Sequence, residues 1–110
     1  MRENKLPDIT HLQFLVLGVL LNGEQPGRTV REAIARFGVR RNGPAFYQMM
    51  ARLERDGLVE GWYEQIPVGG QKVTERRYRI RPAGSKVWTQ TRSFYERVSL
   101  AAVRQEWSNA

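Results

Sequence analysis

Gly43-Pro44-Ala45-Phe46-Tyr47-Gln48-Met49-Met50-Ala51-Arg52-Leu53-Glu54-Arg55-Asp56-Gly57 is the stretch on which the fold turns. Proline is tolerated in the first turn of a helix, where its missing N–H has no partner to lose. Phe46, Met49, Met50 and Leu53 recur at the helical period and form an inner, apolar face. Ala45, Gln48, Arg52 and Arg55 form an outer face, flanked by Tyr47, and Gly57 closes the segment. A helix over 44–56 follows, with one face for a core and a polar, basic face for something outside it.

Upstream, Gly23, Pro26 and Gly27 mark a turn, and Thr29-Val30-Arg31-Glu32 has the form of a capping box. Val30, Ile34 and Phe37 then predict a short helix over 30–37, stopped by Gly38. Two short helices joined by Val39-Arg40-Arg41-Asn42 make a helix-turn-helix. Before them, Asp8 to Asn22 reads as a helix entered from Pro7. It carries two apolar stripes, one of Leu12, Leu15, Val16, Val19 and Leu20, the other of Phe14, Leu17 and Leu21. A helix apolar on most sides is covered on most sides, which in a small domain points to a second chain.

Downstream, Leu58 to Ile66 and Thr74 to Arg81 read as a β-hairpin with a loop over 67–73 centred on Gly69-Gly70. In a hairpin of odd-sum register Glu60 and Glu64 share a face with Arg77, Arg79 and Arg81, and Trp62 can stack under a guanidinium; those three arginines either pair with the two acids across the strands or touch DNA. Pro82 starts a last helix, read as running to about Trp107. Val87, Thr91, Phe94 and Val98 lie on one side of it, Leu100, Val103 and Trp107 on the other. The second stripe implies a symmetric partner. Phe14, Leu17, Leu21, Leu100, Val103 and Trp107 are the expected dimer contacts.

Composition limits the function. The 110 residues suit one folding unit, read as a winged helix-turn-helix over 8–81 and a dimerisation helix over 82–107. There is no cysteine, which removes disulfides and thiolate metal or redox chemistry. His11 is the only histidine, the acids show no ligand spacing, and no glycine-rich loop precedes a helix; no metal, cofactor or enzyme activity is expected. Leu12 to Leu21 is too short to cross a bilayer, and Met1-Arg2-Glu3-Asn4-Lys5 lacks a signal-peptide core, so a cytoplasmic protein is expected. The net charge is +7, and fifteen of the eighteen basic residues are arginine. Seven arginines fall within 28–55 against Glu32 and Glu54. Arginine's planar fork suits phosphates and guanine edges.

Three stretches resemble the PadR family of bacterial transcriptional regulators, in its short form with a single C-terminal helix. Thr10-His11-Leu12-Gln13-Phe14-Leu15-Val16-Leu17-Gly18-Val19-Leu20 is similar to the opening helix of that family. Phe46 to Val59, with its Arg52-Leu53-Glu54 and Gly57-Leu58, is similar to the recognition helix, and Arg77-Tyr78-Arg79-Ile80-Arg81-Pro82-Ala83-Gly84 to the wing exit. The resemblance spans residues 10–107. Arg81 departs from the usual capping threonine, and Pro44 from the usual small residue. The resemblance implies a two-fold dimer built from the first and last helices, binding pseudo-palindromic DNA, and in some relatives release of DNA by a small molecule.

The expected DNA contacts are Arg40, Arg41 and Asn42 at a helix N-terminus, Ala45, Gln48 and Arg52 on the outer face, Tyr47 beside it, and Gln71 and Lys72 on a wing over 67–74. Gln48 and Arg52 read equally as solvated surface side chains when taken alone, and Tyr47 either donates to a phosphate or packs its ring. Trp88 is either core or part of a small-molecule pocket. Two other functions stay open: a winged helix used for protein interaction, and a small-molecule sensor whose DNA binding is secondary.

Overall fold

The Thr10 hydroxyl accepts the backbone N–H of Gln13 at 3.0 Å while the Gln13 side chain accepts that of Thr10 at 3.0 Å. This reciprocal pair starts the first helix three residues later than Pro7 and Asp8 suggest. In the computed structural model, which describes residues 6–109, the elements are α1 (His11–Val19), β1 (Gln25–Pro26), α2 (Gly27–Ala35), α3 (Gly43–Arg55), β2 (Val59–Val68), β3 (Gln71–Ile80) and α4 (Pro82–Arg104), followed by a 3-10 turn at Glu106–Asn109. The reading of Met1 to Lys5 lies outside the described residues.

The second helix departs from expectation. Gln25 and Pro26 pair with Tyr78 and Arg77 as a third, outer strand, giving the antiparallel order β1-β3-β2. The chain leaves that strand directly into α2, so Pro26 occupies the cap position without a side-chain hydrogen bond, and Thr29 lies inside the helix. The Thr29–Glu32 capping box therefore does not form. Gly27 is buried where a Cβ would meet the Tyr47 hydroxyl at 3.1 Å and the Tyr78 ring at 3.2 Å, so that both rings would have to give by a few tenths of an ångström to admit one.

The hairpin has an odd-sum register, with Glu60 opposite Arg79 and Trp62 opposite Arg77. Its loop is far shorter than read. Gly69 (φ 57°) and Gly70 (φ 80°) form a two-residue turn with both φ positive, the type whose twist continues the strands. The ladder consequently runs to Val68 opposite Gln71, and Gln71 and Lys72 are strand residues, not loop residues. Pro67 is accommodated because β2 is an outer strand.

The core draws on the helices before α4 and on the hairpin: Val16 and Leu17 of α1 with Leu20 at its C-cap, Val30 and Ile34 of α2, Phe46, Met50 and Leu53 of α3, Val59 of β2 and Tyr78 of β3. Leu17 is 0% exposed within its own chain, which corrects its assignment to a dimer contact: it belongs to the α1 face that meets α2 and α3. Phe37 is corrected in the opposite sense. It follows α2 and is 72% exposed, because the chain turns at Gly38 before the ring reaches the core.

The last helix is anchored only by its first half. Gly84 is buried, Val87 and Trp88 pack on the core, and Phe14 stacks on Trp88 with ring centroids 5.3 Å apart. Val98, expected inside, is exposed, as are Leu100, Val103 and Trp107. Gln105 adopts the left-handed conformation and ends α4, so Trp107 lies in the following turn and not on the helix face with Leu100 and Val103.

Candidate nucleic-acid interface

The N-terminus of α3 is built by Asn42, whose Oδ1 accepts the Ala45 backbone N–H at 2.8 Å. That oxygen is committed to capping, leaving the amide N–H groups of Asn42 to face outward. Behind it, the Arg31 Nε of α2 donates to the Arg41 carbonyl at 2.9 Å and fixes the connection between the two helices. Arg31 was not among the sequence candidates. Its position three residues before Ile34, on the face of α2 turned toward the connection, is the signal that could have found it.

Arg40, Arg41, Gln48 and Arg52 are all exposed, and Ala45 is half-buried between them. Gln48 and Arg52 stand one turn apart, about 6 Å along the axis. Arg41, Ala45, Gln48, Met49 and Arg52 form one wall of a shallow hollow of about 340 Å³, and Thr10, Leu12 and Gln13 form the other. The start of α1 thus flanks the outer face of α3. Tyr47 lies edge-on against Phe46 at 5.1 Å, with its hydroxyl over Gly27. It is packed along one side and open on the other.

The wing arginines sit in a different environment. Arg79 Nε and Nη2 both donate to the Glu60 carboxylate, at 2.9 and 3.1 Å, and its guanidinium lies 5.5 Å from the Trp62 ring centroid. Arg77 donates to Glu75 at 2.7 Å, with Glu64 at 3.6 Å and Glu24 at 3.9 Å from it. Glu75 is buried; Arg28 of α2 approaches its other oxygen at 3.0 Å without the alignment of a hydrogen bond. Arg76, on the opposite face, donates to Glu54 of α3 at 2.6 Å and lies 4.6 Å over the Tyr63 ring. Beside it, burial pushes the Tyr78 phenol up to about 12. Arg81 caps α4 without a side-chain bond and is exposed.

The outcome is a division of charge. Among the described residues, Arg40, Arg41, Arg52 and Arg55 have no acidic partner within 4.0 Å, whereas Arg76, Arg77 and Arg79 each have one. Arg76 braces the hairpin against α3, Arg28 ties it to α2 through Glu75, and Arg77 and Arg79 are taken up by acids of the sheet and its approach. Four of the arginines without an acidic partner cluster on α3 and its lead-in; Arg31, Arg36, Arg81 and Arg97, also without one among the described residues, are spread over α2 with its C-cap and α4 with its N-cap. No group of histidine and acidic residues among the described residues could hold a metal ion, and no described helix is long and apolar enough to cross a membrane.

The remaining sequence candidates lie elsewhere. Leu21 is half-buried beside Arg79 and Ile80 of the hairpin. Phe14, Leu100 and Val103 line an open apolar hollow of about 540 Å³ along α4. Trp88 is half-buried and lines a neighbouring hollow of about 500 Å³ with Phe14, Leu15, Gly18, Val19 and the exposed Phe37.

At the level of sequence no protein-family model matches the chain, and neither does any curated protein. Solved structures do match. A transcriptional regulator from Clostridium thermocellum superposes with a TM-score of 0.66 at 21% identity, over 86% of this chain and 88% of that one. A PadR family transcription regulator from Clostridium difficile reaches 0.72 at 12% identity, over 86% and 97%. Bacillus subtilis PadR, solved in complex with operator DNA, gives 0.57 at 17% identity, over 78% of this chain and 47% of that one. The order of helices, the three-stranded antiparallel sheet and the long final helix agree, and the chain has the winged helix-turn-helix fold of solved PadR-family regulators.

Proposed function

We propose that the protein binds double-stranded DNA in a sequence-specific manner and acts as a homodimeric transcriptional regulator, a repressor, without catalysis. The single observation that carries this reading is the cluster of arginines on α3 and its lead-in without acidic partners among the described residues, beside a wing whose β3 arginines are all paired with acids. In this reading α3 enters the major groove. Gln48 and Arg52 reach base edges, with Ala45 leaving room one turn before Gln48, and Arg40, Arg41, Asn42 and Tyr47 hold phosphates. The exposed Leu100 and Val103 of α4, with the half-buried Phe14 of α1, meet a second copy, which sets two half-sites about 10 base pairs apart. Operator DNA in the Bacillus subtilis PadR structure supports the choice of ligand.

Selection of bound sequences from random DNA, followed by gel retardation across a salt series, tests the proposal. With about six phosphate contacts per dimer, log K falls against log salt with a slope of about −5. Gln48→Ala and Arg52→Ala each lower affinity by about 1–3 kcal/mol if they contact bases. A flat salt response, or selection that enriches no dyad, would remove the reading. A second reading, binding of a planar apolar effector, is favoured by the 500 Å³ hollow beside Trp88. Quenching of tryptophan fluorescence that disappears in Trp88→Ala is its test.

A further inference from the structure

The outer third of the wing has a chemistry that phosphate contact does not explain. Ile66 and Val73 are cross-strand partners, and Val68 follows on the same face of the ladder. Val68 is 53% and Val73 45% exposed, and both project beyond the braced part of the hairpin. Lys72 is the only charged residue between 65 and 74. A device for holding phosphates would carry cations here. This one carries β-branched side chains, which are stiff at χ1 and cost little entropy to immobilise. The turn beyond them, Gly69-Gly70, adds no side chain to the width of the tip.

The root of the same wing is rigid. Arg76 ties β3 to Glu54 of α3, and Arg77 and Glu75 tie it to the start of α2. The direction of the apolar tip is therefore set by the helices that flank the proposed DNA surface. On a duplex, the groove neighbouring the one that α3 fills is the minor groove, about 6 Å wide. Phosphates line its rim, so the apolar surfaces open to a tip there are the sugars and the faces of stacked bases.

We infer that the wing tip, through Ile66, Val68 and Val73, enters the minor groove and opens a base step, so that the protein bends the DNA it binds. This rests on the DNA-binding reading and deepens it. Among minor-groove proteins, apolar wedges of this kind kink duplexes by about 20–90° toward the major groove. Bending then adds selectivity for flexible pyrimidine–purine steps at positions that α3 does not touch.

The test uses the full chain and a selected dyad DNA. Bend angle is read by end-to-end fluorescence energy transfer, and unstacking by 2-aminopurine placed about half a helical turn from the α3 contacts. Wild-type protein is expected to bend the duplex by tens of degrees and to raise 2-aminopurine emission. Val68→Ser/Val73→Ser should return both signals to those of free DNA while still retarding the duplex on a gel. Retardation by wild type with neither bending nor unstacking overturns the inference and leaves the DNA-binding reading standing. A double variant that bends as wild type does also overturns it. If the double variant weakens self-association in sedimentation while bending persists, the tip is covered by a second copy and the inference falls. Failure of the wild type to retain any duplex removes the inference together with the reading beneath it.

Discussion

Replacing Gly84 with alanine is expected to destabilise the fold, although glycine to alanine inside a helix ordinarily gains about 1 kcal/mol. Gly84 lies in the first turn of α4, and a Cβ there would stand 2.2 Å from the Leu58 carbonyl oxygen and 2.8 Å from the Ile80 side chain. Ordinary contact is about 3.5 Å, so the helix must retreat by about 1.3 Å. The Leu58 carbonyl cannot yield easily, because it also accepts the Arg81 N–H at 2.9 Å and so joins the end of β3 to the start of α4. Overpacking costs about 1–3 kcal/mol, and the strained hydrogen bond about 1 more. Against the propensity gain the net loss is about 2 kcal/mol, a fall of about 10 °C in Tm for a domain of this size. Urea unfolding at one fixed protein concentration measures it. Gly18→Ala is the control. Its Cβ would meet the Trp88 side chain at 3.1 Å, which a shift of a few tenths of an ångström relieves, and its stability should stay within about 1 kcal/mol of wild type. A Gly84→Ala protein as stable as its parent would refute the close approach of α4 to the hairpin.

Three further outcomes are expected. Arg76→Met should cost about 1–2 kcal/mol, because the Glu54 pair is mostly covered and loses its cation, whereas Arg79→Met, on a largely exposed pair, should stay within about 1 kcal/mol; equal losses in urea unfolding would contradict the buried bracing. Tyr78 holds its proton up to about 12 in the folded chain against about 10 when unfolded, so stability is full below about pH 10 and falls as pH rises toward 12. Tyr78→Phe should lessen that alkaline fall, and an absorbance titration at 295 nm should lose its highest step. Phe37→Ser should change the stability of the single subunit by less than about 0.5 kcal/mol, since the ring is exposed; a loss above 2 kcal/mol at high dilution would place the ring in the subunit core after all.

The sequence was most legible where one periodicity had one explanation. The inner face of α3 and the two strands around Gly69-Gly70 follow from helical spacing and alternation, and both are found, while the choice between ion pairing and DNA contact for the β3 arginines needed the register itself. It was least legible where a local signal competed with a tertiary one. Thr29-x-x-Glu32 is a sound capping box, but the pairing of Gln25 and Pro26 with β3 starts the helix earlier and overrides it. Thr10 and Gln13 form the cap of α1, masked in sequence by Pro7-Asp8, which offers an earlier helix start. Gly-Gly marked a turn correctly, yet spacing could not tell a seven-residue loop from two glycines at positive φ, and so Gln71 and Lys72 were set in the wrong element. Phe37 fits the helical period and still misses the core, because Gly38 redirects the chain. In the candidate site, residue types placed Gln48 and Arg52 on one open face, but only coordinates separate free arginines from braced ones. Arg28 and Arg31 look no different in sequence from Arg40 and Arg41.

From Tyr95 to its end, α4 rests on almost nothing of its own chain beyond the edge of Phe14. A helical stretch of that length is shorter than the roughly 12–15 residues needed for marginal helicity in water. Under the proposed dimer, its winding is completed by the partner copy. Diluting the protein should then reduce ellipticity at 222 nm, and the amides there should exchange with solvent faster than any others in the helix. In that proposal the amount of secondary structure becomes a function of concentration, and an ellipticity that ignores dilution would remove it.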